Sequence, residues 1–349
     1  MFLRHCWYVA AWGEEVARAP LARIILGLPV MLYRTEQGEA VALEDRCCHR
    51  NLPLSMGFIE GDNVRCGYHG LKFAPSGQCI EIPGQAQIPH EARVTRYPLI
   101  ERWDLLWIWM GDPEQIDEGL LPQWHYLAEP GWAVIKGNDA KPMPMKCSWE
   151  LNNDNLLDLS HVAYVHPKTL GGHGTDTYPV TTERLERSVR MSRWMPDLDP
   201  IPLWTKYLGQ MGKVDRWQIT EAELPSHCMV DVGFAPAGTT TLEKGRENAP
   251  RMRVMLTATP ETANTSFLFY AQIRNWGVDD TVFTERFARD SRGIFDEDVV
   301  VMEAQQRIAE AMPGARTIDI RSDAPHLAMR KLVQQALDAE RAVLLGRRC

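Results

Sequence analysis

Asn155, Asp158, His161 and His166 stand among Leu156, Leu157, Leu159, Val162 and Val165 in the stretch Leu151 to Pro167, LNNDNLLDLSHVAYVHP. Polar groups in such apolar company need partners, and two imidazoles near carboxylates suit a divalent metal. The apolar spacing predicts a helix on which Asn155, Asp158 and His161, three apart, share one polar face. His166 follows His161 by five residues and would point about 140° away on an ideal helix. Pro167 disfavours helix at His166, so the backbone loosens there and the two imidazoles can converge. The plainer alternative is a pair of core histidines bonded to backbone carbonyls.

An acid to serve as a third ligand lies far downstream. The segment RFARDSRGIFDEDVVVMEAQQRIAEAM carries an apolar stripe, Phe287, Ile294, Phe295, Met302 and Ala309, into which Asp298 falls. Asp298 is therefore expected to face inward, where a carboxylate needs a metal or a cation such as Arg292. Asp296 and Glu297 lie off the stripe and read as solvated charges. Two histidines and one carboxylate make a facial triad for ferrous iron that leaves positions open for O₂.

A separate ligand set sits nearer the N-terminus. Cys47-Cys48-His49 and Cys66-Gly67-Tyr68-His69 form a C-x-H and a C-x-x-H with sixteen residues between them. Two thiolates and two imidazoles fit either zinc or a [2Fe–2S] cluster with cysteines on one iron and histidines on the other. Zinc sites of this composition usually keep the cysteines in one hook and the histidines in another. Here each loop supplies one of each, a mixed pattern that resembles the Rieske proteins. Imidazoles in place of two thiolates raise the cluster's reduction potential, so it accepts electrons from ferredoxin-type donors. Cys48 and Gly67 stand where many Rieske loops have proline; Cys48 reads as a passive small side chain, and Gly67 as leaving its loop less rigid.

The elements that position these residues follow from local pattern. From Leu21 to about Asp112 short β runs, ARIILGLPVMLYRT, AVALEDR and DLLWIWM, are punctuated by Gly and Pro, which predicts a small all-β unit. Composition shifts after Pro113, placing a boundary near 112 to 120 and domains at 1–115 and 116–349. In the second, residues 184 to 195, 214 to 235, 251 to 259 and 265 to 276 suggest an antiparallel sheet, and 281 to 312 and 325 to 345 suggest helices. The expected fold class is α+β, a small all-β domain followed by a catalytic domain whose antiparallel sheet is covered by helices. Leu170 to Pro179 reads as a loop whose Gly172-x-Gly174 is too short for a dinucleotide fingerprint, so no nicotinamide or flavin site is expected.

Composition excludes other classes. A net charge of −8 over 349 residues argues against nucleic acid, and the longest apolar run, Leu105 to Met110, is far short of the ~20 residues of a membrane span. The N-terminus, MFLRHCWYVAAWGEEVARA, lacks a signal-peptide core, so a soluble cytoplasmic protein is expected. Its eight cysteines, at 6, 47, 48, 66, 79, 147, 228 and 349, are too scattered for a disulfide framework.

The chain as a whole resembles the oxygenase α subunits of the Rieske non-haem iron oxygenases. The strings WYVAAW, CCHR, CGYHGL, DNLLDLSHVAYVH and FDEDVVVMEAQQ carry that resemblance over nearly the whole length. VDRW at 214 to 217, TPET at 259 to 262 and RNW at 274 to 276 look closest to vanillate O-demethylase and toluenesulfonate methyl-monooxygenase components. The resemblance implies that Cys47, His49, Cys66 and His69 hold the cluster and that His161, His166 and Asp298 hold mononuclear Fe(II). It implies that Asp158 bridges a cluster histidine of one subunit and an iron histidine of its neighbour in a homotrimer, with Asn155 hydrogen-bonded near the iron. The implied activity is that of a terminal monooxygenase of aromatic catabolism, using O₂ and electrons from a separate NAD(P)H-dependent ferredoxin-type reductase. It would hydroxylate a methyl or methoxy group of an aromatic acid, with O-demethylation of a vanillate-like substrate foremost. Aryl-methyl hydroxylation of a toluenesulfonate-like acid, ring dihydroxylation and, from another class, a Rieske electron-transfer protein are the alternatives. Strands within 214 to 235 and 251 to 276 are the expected pocket walls; the anchor for the substrate's acidic group is not placed.

Overall fold

A computed structural model describes residues 1–170 and 175–346, so Gly172, Gly174 and Cys349 lie outside the described residues. The chain falls into two compact units, Met1–Leu121 with Thr259–Ala263, and Pro122–Ala258 with the residues from Asn264 on. No described helix is long and apolar enough to cross a membrane.

The first unit is built from short strands: β1 (Trp7–Trp12), β2 (Leu21–Ile25), β3 (Leu28–Arg34), β4 (Ala40–Glu44), β5 (Phe58–Glu60), β6 (Asn63–Arg65), β7 (Lys72–Phe73), β8 (Cys79–Glu81), β9 (Arg96–Tyr97), β10 (Leu99–Arg102) and β11 (Leu105–Trp109). They form three sheets, β1-β11-β10, β2-β3-β4-β9 and β5-β6-β7-β8. Every residue of β1 and β11 is buried, and Trp7, Trp12, Trp107 and Trp109 anchor their packing at 1% exposure or less. The run ARIILGLPVMLYRT is a hairpin closed by Leu26 and Gly27, both at positive φ (52° and 76°). That two-residue turn matches the twist of the strands. Its N–H groups donate to Pro260 and Glu261 carbonyls at 2.9 and 2.8 Å, and Thr259 Oγ1 donates to Val9 O at 2.6 Å, which is why Thr259–Ala263 joins this unit.

The second unit contains β12 (Ala133–Lys136), β13 (Met143–Met145), α1 (Trp149–Leu156), α2 (Val162–Val165), β14 (Val180–Arg184), β15 (Ser188–Leu198), α3 (Pro202–Leu208), β16 (Val214–Glu223), β17 (His227–Pro236), β18 (Arg251–Pro260), β19 (Ser266–Arg274), α4 (Thr281–Ala311) and α5 (Ala324–Gly346). The eight-stranded sheet runs β12-β19-β18-β17-β16-β15-β14, with β13 also on β19, and is antiparallel from β14 through β18. The expected strand at 214 to 235 is two strands, split where Leu224, Pro225 and Ser226 turn the chain. α4 begins where Asp280 Oδ1 accepts the Phe283 N–H at 2.8 Å. Its buried face is Phe287, Ser291, Ile294, Phe295, Met302 and Gln306; Ala309, expected on the stripe, is exposed because the face ends one turn earlier.

Two glycines test this packing. A Cβ on Gly233, paired with Trp217, would come within 2.2 Å of that indole and 2.7 Å of Pro250 O, whereas one on Gly293 in α4 meets nothing within 4 Å. Gly233→Ala should destabilise by about 1–3 kcal/mol, and Gly293→Ala should stabilise by up to about 1 kcal/mol. Thermal midpoints moving in opposite directions are the expected result.

Candidate functional site

α1 starts at Ser148, whose Oγ accepts the Leu151 N–H at 3.4 Å, and stops after Leu156, with Leu157 already non-helical at φ −95°, ψ 14°. The single helix expected over 151 to 167 is therefore broken. Asp158 Oδ1 accepts the Ser160 N–H at 2.7 Å and the Ser160 hydroxyl at 2.6 Å, a local closure that competes with helix. Asp158 accordingly faces Ser160, and it does not continue a stripe from Asn155 to His161. His161 then opens α2, and His166 leaves the helix at φ −116°, ψ 42°, just ahead of Pro167. The break and the loosening let the imidazoles meet, with centroids 5.4 Å apart at 71°.

α4 supplies the acid. Asp298 Oδ1 lies 3.0 Å from His166 Nε2 and 3.5 Å from His161 Nε2 and accepts from Asn155 Nδ2 at 3.2 Å. Ligand atoms of His161, His166 and Asp298 all fall within 4.8 Å of one another, and among the described residues no other group of His, Cys, Asp or Glu comes together so closely. Arg292, the alternative partner for Asp298, donates instead to Asn138 Oδ1 at 3.1 Å. Asp296 is exposed as expected, but Glu297 is not a merely solvated charge. Glu297 Oε2 lies 2.6 Å from His166 Nδ1 and accepts from Thr169 Oγ1 at 3.4 Å. A carboxylate one position from the stripe reaches the far nitrogen of a ring whose near nitrogen faces Asp298; an imidazole two-sided in this way is the signal that a helical projection omits.

Electrostatics separate the two rings. Burial lowers the His161 pKa below its usual range despite Asp298 and Asp158 nearby. Burial pulls His166 the same way, but hydrogen bonds and charge from Asp298 and Glu297 outweigh it and hold its pKa up. The buried Nδ1 of His161 has no hydrogen-bond partner among the described residues. Two imidazoles and one carboxylate, with no thiolate and no guanidinium, fit a borderline divalent ion such as ferrous iron.

The triad opens on a cavity of about 130 Å³ walled by Leu159, Val162, Leu203, Trp204, Val254 and Phe295. β16, β17, β18 and β19 all contribute to it, and β16 presents Arg216, Gln218 and Thr220 at alternate positions. Burial, and then the neighbouring Arg193 charge, bring the Arg216 guanidinium down to about 9, which leaves it cationic at neutral pH.

In the first unit the two ligand loops are built alike. Cys47 N donates to Leu52 O and Cys66 N to Leu71 O, both at 2.8 Å, while Asn51 N donates to Cys47 O (3.0 Å) and Gly70 N to Cys66 O (3.1 Å). Asn51 and Gly70 sit at φ 60° and 75° to close these turns. Asp45 holds Ser55 beneath the first loop, and Arg65 donates to Gly70 O at 2.7 Å in the second. Cys47 and Cys66 are buried, and the His49 and His69 rings lie 4.6 Å apart. The thiols pair with each other, burial and then the neighbouring Cys66 thiol raising the Cys47 pKa, and the rings pair with each other, which suits a cluster with cysteines on one iron and histidines on the other. Cys48 is half-buried against this core, and burial raises its thiol pKa, in keeping with a passive role. A Cβ at Gly67 would approach Met56 O to 2.9 Å, so the bare glycine also allows close packing.

The Rieske [2Fe-2S] domain family matches residues 6–98, and the vanillate O-demethylase oxygenase C-terminal domain family matches residues 145–339. The chain is 40% identical over 348 residues, 97% of this chain and 98% of the relative, to the iron-sulfur subunit of a toluene-4-sulfonate monooxygenase system from Comamonas testosteroni. It is 33% identical over 345 residues, 97% and 96% of the two chains, to a vanillate O-demethylase oxygenase subunit from Pseudomonas sp. (strain HR199 / DSM 7063). Dicamba monooxygenase bound to 3,6-dichlorosalicylic acid superposes with a TM-score of 0.90 at 31% identity over 98% of this chain and 99% of that one, and the same enzyme has been crystallised with non-haem iron.

Substitutions separate the three consecutive acids Asp296, Glu297 and Asp298 of α4. Asp298→Ala should abolish ferrous iron binding while leaving the visible absorption of the thiolate-ligated centre intact. Glu297→Gln should weaken iron by about 10–100-fold, and Asp296→Ala should change neither, as read by anaerobic iron titration.

Proposed function

The chain belongs to the vanillate O-demethylase oxygenase family of Rieske non-haem iron oxygenases, and on that premise we propose that it hydroxylates a methyl or methoxy group of an aromatic acid. Cys47, His49, Cys66 and His69 would hold the cluster, and His161, His166 and Asp298 the iron. The observation that carries this reading is the meeting of two imidazoles and a carboxylate, with which no described lysine or arginine pairs, at the wall of an apolar cavity. When bound, the two centres supply reductive activation of O₂ with electrons from a separate reductase.

The chain's own groups prepare that chemistry. Glu297 accepts the Nδ1 proton of His166, fixing the tautomer whose Nε2 faces Asp298. Asn155 donates to Asp298 Oδ1 and sets the carboxylate's orientation. The apolar walls exclude water from the reacting carbon. Asp158, held through Oδ1 by Ser160, would use its other oxygen to bridge toward a cluster histidine of a neighbouring subunit in a homotrimer. The reductase partner is read as an NAD(P)H-dependent ferredoxin-type protein, and the site of action as the cytoplasm.

O-demethylation of a vanillate-like acid is the principal reading: a hydroxylated methoxy carbon collapses to a phenol and formaldehyde. Aryl-methyl hydroxylation of a toluenesulfonate-like acid, giving a benzylic alcohol, is favoured by the higher identity to that relative, 40% against 33%.

Anaerobically reconstituted protein should carry about three irons and two acid-labile sulfides per chain; stoichiometric zinc without sulfide overturns the cluster assignment. Supplied with a reductase, it should release formaldehyde from methoxylated aromatic acids or an alcohol from methylated ones, and no product from either panel counts against the oxygenase reading. Asp158→Ala should keep both metal centres and lose turnover, with a native mass of three chains.

A further inference from the structure

β16 sends alternate side chains to opposite faces of the sheet, Arg216, Gln218 and Thr220 toward the cavity and Ile219, Glu221 and Glu223 away from it. Arg216 is only 3% exposed. Its Nη1 makes one long contact, 3.4 Å to Leu170 O, its guanidinium lies over the Trp204 ring at 5.2 Å, and its Nε has no partner among the described residues. No described carboxylate pairs with it.

Its neighbours are treated differently. Arg193, equally buried, is bonded to Gln218 Oε1 at 3.1 and 2.5 Å, Thr175 O at 3.0 Å and Leu159 O at 3.2 Å. Arg253 lies between Tyr126 and Trp132 and reaches Asp231, and Arg274 is bonded to Trp276 O and Thr284 Oγ1. Among the described residues Arg216 is thus a buried cation without an anion, in the wall of the cavity that also holds the triad, and a charge in that setting calls for a partner. Thr220 Oγ1, fully buried on the same row, also lacks a partner among the described residues.

We infer that Arg216 is the anchor for the anionic group of the substrate, so that the cavity takes a single-ring aromatic carboxylate or sulfonate with its acid on β16 and its reacting carbon toward His161, His166 and Asp298. The inference rests on the oxygenase reading for the word substrate, and on Arg216 alone for the charge. A planar guanidinium grips either oxyanion through two donors. Cavities of about 150 Å³ hold one benzene ring, which sets this one, at about 130 Å³, to a single ring.

Equilibrium binding tests the anchor without turnover. Iron-reconstituted wild type, Arg216→Met and Arg216→Lys are titrated calorimetrically with para-methylbenzoate, para-methylbenzenesulfonate and the neutral para-methylbenzamide. Wild type should bind at least one of the two anions more tightly than the amide by about 10-fold or more. Arg216→Met should lose that preference while keeping amide affinity and the visible cluster spectrum, and Arg216→Lys should recover part of it. Comparison of the two anions tells whether carboxylate or sulfonate is the better fit. A wild type that does not discriminate charge, or a Met variant that keeps the preference, overturns the inference. Should Arg216→Met fail to fold, a Lys variant that holds the wild-type preference undiminished for both anions argues for charge at this position, and one that binds amide and anions alike argues against it. Absence of oxygenated product from any aromatic would sink the oxygenase reading and leave these binding results standing.

Discussion

One carboxylate oxygen, Asp298 Oδ1, is approached by the amide of Asn155 and by the Nε2 atoms of His161 and His166. The two segments that meet there are more than a hundred residues apart in sequence, so their register must be held by other contacts. α4 does this with side chains that accept from the backbone leading into α1: Glu303 Oε1 takes the Lys146 N–H at 3.0 Å and Gln306 Oε1 takes the Ser148 N–H at 3.1 Å. On its sheet side Phe295 stacks on Tyr270 at 4.0 Å and Ser291 donates to Gln272 at 2.8 Å. The helix is thereby fixed at two levels on either side of Asp298, and the angle at which the acid faces the imidazoles follows from that.

How much of this was legible depends on whether the determining physics is local. The cluster loops were plain, because each ligand pair is a few residues long and its chemistry is carried by residue type. The sheets around them were not, since β5 through β9 are only two or three residues each and show no periodicity. Asp298 emerged from the helical period of α4, which is long enough to define a face. Glu297 did not, because its role depends on where a ring from a distant segment puts its second nitrogen. The break after Leu156 had a readable sign, the Asp158-x-Ser160 pair that closes on itself, but apolar spacing through Val165 masked it. The whole-chain resemblance supplied the reaction class, which spacing alone would have left as a metal site.

Arg216 marks the limit of pattern reading. In VDRWQIT it looks like a polar residue on the open face of a strand, and only the packing of α1, α3 and α4 over that face turns it inward. The sheet is thus used on both sides: apolar and sparsely polar toward the triad, and densely ion-paired away from it, where Arg190 meets Glu221 and Arg251 meets Asp231.

The five residues Thr259–Ala263 have a bearing on how the protein is made. Their carbonyls accept the N–H groups of the β2–β3 turn, and Thr259 reaches β1, so the N-terminal unit is not complete when Leu121 has been synthesised. At translation speeds of about 5–20 residues per second, the residues between take roughly 7–27 s to emerge. For that interval the hairpin turn and the Val9 carbonyl wait without these partners, and the nascent first unit is held by the packing of its own three sheets.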